Sequence, residues 1–198
     1  MILQKKFKWV IEKDVHKHVP EERSELFKTL NAECTELEYI NLLYSLILVT
    51  KPQSILETGT SVGLATLAMA LGASKTNAHV TTIDQKSKTH IKKINDLKSF
   101  VTFVISESRQ YLRNCQTNFD FAFLDSDLSC RAEEFQILLD RKIIQPGSLV
   151  CIHDTSKLRN WKINGNEAFW KEFEQNIVPR IESYIEFPLS RGMLVCKV

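Results

Sequence analysis

Residues Ile55–Gly63 read "ILETGTSVG": a short apolar run, an acid, then two glycines four positions apart. The apolar run suits a strand buried on both faces, and the glycines suit a tight turn from that strand into a helix. "SVGLATLAMALGA" continues as a small-residue helix ended by Gly72, and "HVTTID" follows as a second strand. Strand, turn, helix, strand is a βαβ unit, and its two strands lie parallel.

The unit repeats along the chain. "KTHIKKINDLK" reads as a polar helix, "VTFVISE" as a strand, "SRQYLRN" as a short helix and "FDFAFLD" as a strand. "CRAEEFQILLDRKI" is a helix, after which "QPG" turns the chain into the strand "SLVCIHD". A long helix over "NEAFWKEFEQNIVPRI" precedes the strands "ESYIEF" and "GMLVCKV", joined so closely that they pair antiparallel. Ahead of all this the first fifty residues read as helical. "PEERSELFKTL" opens on Pro20 and acids, and "TELEYINLLYSLILVT" carries apolar residues at helical spacing until Lys51-Pro52 closes it. The expected fold is a Rossmann-like α/β/α sandwich: a mostly parallel seven-stranded sheet, an antiparallel terminal hairpin and an N-terminal helical extension. One domain over 1–198 is expected, with residues 1–50 as the extension and 51–198 as the core.

Composition narrows the function. The chain has 198 residues, 43% hydrophobic and 25% charged, with a net charge of +2. Such a balance gives no argument for nucleic acid or an anionic membrane as the main partner, and neither is expected. Its most apolar run, "YINLLYSLILV", is too short to cross a bilayer. The five cysteines form no C-x-x-C pair and suit a reducing compartment, so the cytoplasm is the expected location.

In an open parallel sheet, ligands bind outside the carboxyl ends of the strands, where the strand order reverses. Gly59 and Gly63 sit at the first such end. The dinucleotide pattern G-x-G-x-x-G fails there, because Ser61 and Leu64 occupy its second and third glycine positions. Glu57 on the strand repels a pyrophosphate and suits a ligand bearing an ammonium group. Asp84 ends the second strand at the distance expected of an acid that holds a ribose diol; capping the next helix is its other reading.

"ILETGTSVGLATLAMA", "TTID", "FDFAFLDSD" and "PGSLVCIHDTS", in this order, resemble class I S-adenosylmethionine-dependent methyltransferases. Within that class the chain is similar to small O-methyltransferases of the catechol O-methyltransferase-like and family 24 kinds, over about residues 33–198. The resemblance implies that Glu57 lies near the methionine amino group of S-adenosylmethionine, with Gly59, Thr60, Ser61 and Gly63 lining that part. Asp84 would take the ribose hydroxyls, and Glu107 and Ser108 fall where the family contacts adenine.

A hydroxyl acceptor must also lose a proton, to a base or with help from a metal. "FLDSD" (Asp125, Asp127) and "CIHDTS" (His153, Asp154) end on the same sheet edge as Glu57. The resemblance implies Asp125 and Asp154 as ligands of a divalent cation such as Mg²⁺, with Asp125 also beside the cofactor. His153 and Asp127 are the candidate catalytic groups, although His153 equally suits an orienting role and Asp127 a helix cap. Departures are visible: Thr155 stands in place of an asparagine ligand, Leu128 in place of a histidine, and a lysine of the catechol-type enzymes is missing. Lys157, Arg159, Trp161 and Lys162 lie in a long loop that could meet an anionic or sugar-like acceptor. The N-terminal helices are candidates for the far wall of the pocket or for a homodimer surface.

The expected function is thus O-methylation of a small molecule. Two other readings remain: a cofactor-binding partner subunit with a degenerate site, and a nicotinamide-dependent oxidoreductase, against which Glu57 and the failed glycine pattern speak.

Overall fold

The computed structural model describes residues 7–15, 26–86, 95–159 and 166–198. Two short strands, β1 (Val10–Ile11) and β2 (Lys28–Thr29), pair antiparallel ahead of the main sheet. Among the described residues of the first fifty, the helical expectation is therefore corrected outside α1 (Leu37–Thr50) and a 3₁₀ turn at Glu12–Asp14. Residues 16–25, which hold most of the expected helix at Pro20, lie outside the described residues.

The main sheet comprises β3 (Ser54–Thr58), β4 (His79–Asp84), β5 (Val101–Ile105), β6 (Phe119–Leu124), β7 (Ile144–His153), β8 (Ser183–Phe187) and β9 (Met193–Lys197). Their order is β5-β4-β3-β6-β7-β9-β8, parallel from β5 to β7, with β9 antiparallel to both β7 and β8. The expected seven-stranded Rossmann-like sheet with its terminal hairpin is present. The chain runs outward from β3 to β5 and then returns to β6 beside β3. The order reverses between those two strands.

Helices α2 (Leu64–Thr76), α3 (Ser108–Asn114), α4 (Leu128–Asp140) and α5 (Asn166–Glu172) complete the layers. Side-chain alternation assigns each strand residue to a face. Ile55, Phe121, Phe123 and Cys151 join α1 and α2 in one core, where Gly72 lets Ile47 of α1 press against α2. Leu56, Ala122, Leu124, Val150 and Ile152 join α4 and the segment after α5 in the other. Lys51 takes a left-handed conformation (φ 50°) and donates its N–H to Ile47, ending α1 before Pro52 as the sequence suggested.

Two further expectations change. "QPG" is not a turn before β7 but lies within it, where pairing with β6 shifts between Phe119 and Phe121. Pro146 has no N–H for the ladder, so the extra residues bulge out, with Gly147 at φ 91°. The long helix expected over 166–181 becomes α5, a π-helical turn at Phe173–Ile177 and a 3₁₀ turn at Val178–Arg180 that contains Pro179. Most of the polar helix expected over 88–98 lies outside the described residues, which show a 3₁₀ turn at Asn95–Phe100. Among the described residues no helix is long and apolar enough to cross a membrane.

Candidate active site

The loops after β3 and β6 meet at the reversal point. Gly59 (φ 88°) passes so close to the next loop that a Cβ there would lie 2.2 Å from the Asp125 carbonyl oxygen. Only glycine combines that backbone angle with that approach. Gly59 N–H donates to the Ile83 carbonyl at 2.8 Å, and Asp125 N–H to the Thr58 carbonyl at 2.9 Å, which carries the parallel ladder past the strand ends.

Above these loops opens a cleft of about 530 Å³. Gly59, Ser61, Asp84, Ser108 and Asp125 all line it, as does Asp127. Its ionisable lining is one-sided: Glu33, Asp84, Asp125 and Asp127 against Lys86. Asp84 fixes the glycine loop, accepting from Ser61 N–H and from Lys86 N–H, each at 2.9 Å. Each carboxylate oxygen can accept twice, so Asp84 keeps capacity for a ligand hydroxyl. Ser61 itself sits at φ 46°, a strained angle that the Asp84 contact holds.

Other expected site residues turn elsewhere. Glu57 shares the face of Ile55, beneath α2, and is fully buried rather than on the cleft wall. Thr66 Oγ1 donates to its Oε2, while Oε1 has no hydrogen-bond partner among the described residues. Burial pushes this carboxyl up to about 8, against the lowering effect of the Thr66 and Thr82 hydroxyls. Thr60 is buried with its hydroxyl 2.6 Å from that of Thr82, and Gly63 starts α2. Glu107 caps α3 by accepting from Gln110 N–H at 2.8 Å and pairs with Arg109. Asp127 caps α4 in the same way, accepting from Ser129 N–H at 2.9 Å and Ser129 Oγ at 2.6 Å. These bonds hold its carboxyl low, which weakens it as a base.

His153 is buried between two acids. Its Nε2 lies 2.6 Å from Glu36 Oε2 and its Nδ1 3.0 Å from Asp125 Oδ1. Burial alone would lower its pKa, but Asp125, Glu36 and Asp154 raise it to about 9. An imidazolium donating from both nitrogens has no lone pair to accept a proton. With both nitrogens turned to carboxylates, the geometry favours the orienting role over that of a base.

The rest of this web was not legible in the sequence. Arg131 donates to Asp125 Oδ1 at 3.1 Å, to Asp154 Oδ2 at 3.1 Å from two nitrogens, and to the carbonyls of Ser126 and His153. Arg159 pairs with Asp154 Oδ1 at 2.5 Å instead of facing an acceptor, and Lys157 pairs with Glu174 over the Trp170 ring. Trp161 and Lys162 lie outside the described residues. Arg191 pairs with Glu36 and Glu12, each at 3.1 Å. Burial raises the Asp154 carboxyl, yet His153, Arg131, Arg191 and Arg159 together hold it well below the usual range.

A second buried acid, Glu134, was also missed. It collects hydroxyls from three separate segments: Thr58 of β3 at 2.9 Å, Ser126 after β6 at 2.7 Å, and Ser108 at the start of α3. The signal was present. Arg131, Glu134, Phe135 and Leu138 recur at helical spacing, which places two charged residues on the inward stripe of α4.

Residues 56–155 match the family model described as a methyltransferase domain. No curated protein matches the sequence significantly. Among solved structures, an SAH-bound methyltransferase from Podospora anserina is similar at a TM-score of 0.72 and 16% identity, covering 99% of this chain and 92% of its own. The SAH complex of an O-methyltransferase from Bacillus cereus reaches 0.69 at 21% identity, with 85% and 84% covered. TomG of Streptomyces achromogenes, an O-methyltransferase involved in tomaymycin synthesis and crystallised with SAM, reaches 0.70 at 17%, with 85% and 83% covered.

Proposed function

The chain belongs to the family of methyltransferase domains, and from that premise we propose that it transfers a methyl group from S-adenosylmethionine to a hydroxyl of a small molecule. The observation that carries this reading is the acidic cleft between Gly59 and Asp125 at the reversal point of the sheet. A cleft lined by Glu33, Asp84, Asp125 and Asp127 repels a pyrophosphate and attracts a ligand that is cationic at both sulfonium and ammonium. The residues thus fit the cofactor, although through the cleft wall and not through the buried Glu57.

S-adenosylmethionine, when bound, supplies an electrophilic methyl group on its sulfonium. Asp84 would hold the ribose hydroxyls, and Gly59 lets the loops after β3 and β6 close up to form the floor beneath it. Asp125, held by Arg131, His153 and Thr35, fixes the negative wall beside the reacting centre. The protein's contribution is positioning and charge. In-line displacement gains most of its rate from placing the acceptor oxygen within about 3.5 Å of the methyl carbon.

We read the whole chain as one domain. This is supported by Glu33 on the cleft wall and by Thr35 donating to Asp125 at 2.7 Å, both from the N-terminal segment. The five free thiols, four of them buried, support a cytoplasmic setting. A second reading, a cofactor-binding partner subunit without turnover, is favoured by the occupied ring of His153. The test is incubation with methyl-labelled S-adenosylmethionine and a panel of phenols, catechols and alcohols. Labelled ether product supports the enzyme. Saturable cofactor binding with no product from any acceptor supports the subunit.

A further inference from the structure

Asp125, His153 and Asp154 bring potential ligand atoms within 4.8 Å of one another, a spacing that suits a divalent ion. Each carboxylate oxygen is nevertheless already engaged by a protein donor. Asp125 Oδ1 faces Arg131 and His153, and Asp125 Oδ2 accepts from Thr35 at 2.7 Å. Asp154 Oδ2 accepts twice from Arg131, and Asp154 Oδ1 pairs with Arg159. Both ring nitrogens of His153 are turned to carboxylates, Nδ1 to Asp125 and Nε2 to Glu36, so neither faces an open position. The donor set does not fit a metal.

We propose that the guanidinium of Arg131 takes the place of a divalent cation between Asp125 and Asp154, so that this chain orders its site with a fixed internal cation.

Geometry and charge both support the substitution. Arg131 is 3% exposed, and its planar fork reaches the two carboxylates together with the Ser126 and His153 carbonyls. Arg is suited to this because its five donors are rigidly arranged and always charged. The web sets Arg131, Arg159, Arg191 and His153 against Glu12, Glu36, Asp125 and Asp154. Three guanidinium groups, of Arg131, Arg159 and Arg191, already meet Asp125, Asp154 and Glu36. An added divalent ion would set two more positive charges beside them in a buried region, which is costly. Arg131 stands on α4 at the inward position beside Phe135, so packing holds it in place. The inference is independent of whether the cleft binds S-adenosylmethionine.

The test is a titration of the full chain with Mn²⁺, read as loss of the free-ion electron paramagnetic resonance signal. The wild-type chain is expected to show no saturable site up to about 1 mM, the weak end for oxygen-ligand sites. Arg131→Met, which keeps the bulk and removes the charge, is expected to gain one site at least tenfold tighter than any wild-type binding. Adding Asp154→Asn to that variant should abolish the site. A saturable wild-type site weakened by Asp154→Asn alone would overturn the proposal, and that measurement stands even if Arg131→Met fails to fold. A folded Arg131→Met chain that gains no site, or a gained site that survives Asp154→Asn, would also overturn it.

Discussion

The two halves of this sheet edge bury their acids in opposite ways. Beneath β3 and β4, Glu57 and Glu134 are held by hydroxyls from Thr66, Thr58, Ser108 and Ser126, and burial raises both carboxyls. Beyond β6 and β7, Glu36, Asp125 and Asp154 are held by His153, Arg131, Arg159 and Arg191. Hydroxyls carry no charge to offset burial, so desolvation outweighs them and pushes the Glu57 carboxyl up to about 8. Guanidinium and imidazolium groups stabilise only the ionised form. The cleft lies at the meeting of the two regimes, with Ser108 and Ser126, which hold Glu134, and Asp125, which Arg131 holds, all on its wall.

That contrast breaks most readily at the ionic side. Arg191→Ala leaves Glu36 buried and short of a cation, and we expect a loss of about 3–5 kcal/mol in urea unfolding. A loss below about 1 kcal/mol would mean the web is far more solvated than its geometry implies.

The next effect is on pH. The folded pKa of His153 is raised from 6.5 to about 9, so its contribution is complete below 6.5 and disappears as pH rises through the folded value. Glu57, raised from 4.5 to about 8, also favours folding most at low pH and loses that contribution as pH climbs. Both act in the same direction. The melting temperature should fall between pH 6.5 and 9, by roughly 5–10 °C. The fall should shrink in His153→Gln relative to that variant's own value at pH 6.5. A flat profile in the wild-type chain would place His153 in its neutral form.

At the boundary of the two regions, Asp84→Ala removes both the expected ribose contact and the anchor of Ser61. S-adenosylmethionine should bind at least about tenfold more weakly by calorimetry, a cost of about 1.4 kcal/mol. Unchanged affinity would remove Asp84 from the site. The smallest effect belongs to the hydroxyl-held side. Burial favours the uncharged form of Glu57, and Glu57→Gln keeps its shape without charge, so stability at pH 7 should change by less than about 1 kcal/mol. A larger loss would mean that Glu57 is ionised.

The same division explains what the sequence revealed. β3 and β4 match "SILET" and "HVTTID" because short, two-sided strands between glycine turns leave a clear local pattern. The two-residue strands β1 and β2 leave none, since two positions carry no period. The face of Glu57 was readable: two positions after Ile55, it belongs beneath α2, where Thr66 holds it. Its charge was misjudged because burial, not residue type, decides ionisation. The ionic web was hidden for another reason. Glu36 lies 117 positions from His153 and 155 from Arg191, and only the completed sheet brings them together.

Titration of the chain with S-adenosylmethionine and with NAD⁺, each followed by isothermal calorimetry, tests the acidic cleft most directly. We expect one S-adenosylmethionine site per chain and no saturable heat from NAD⁺, whose pyrophosphate meets Asp84, Asp125 and Asp127. Saturable NAD⁺ binding, or no S-adenosylmethionine site, would contradict it.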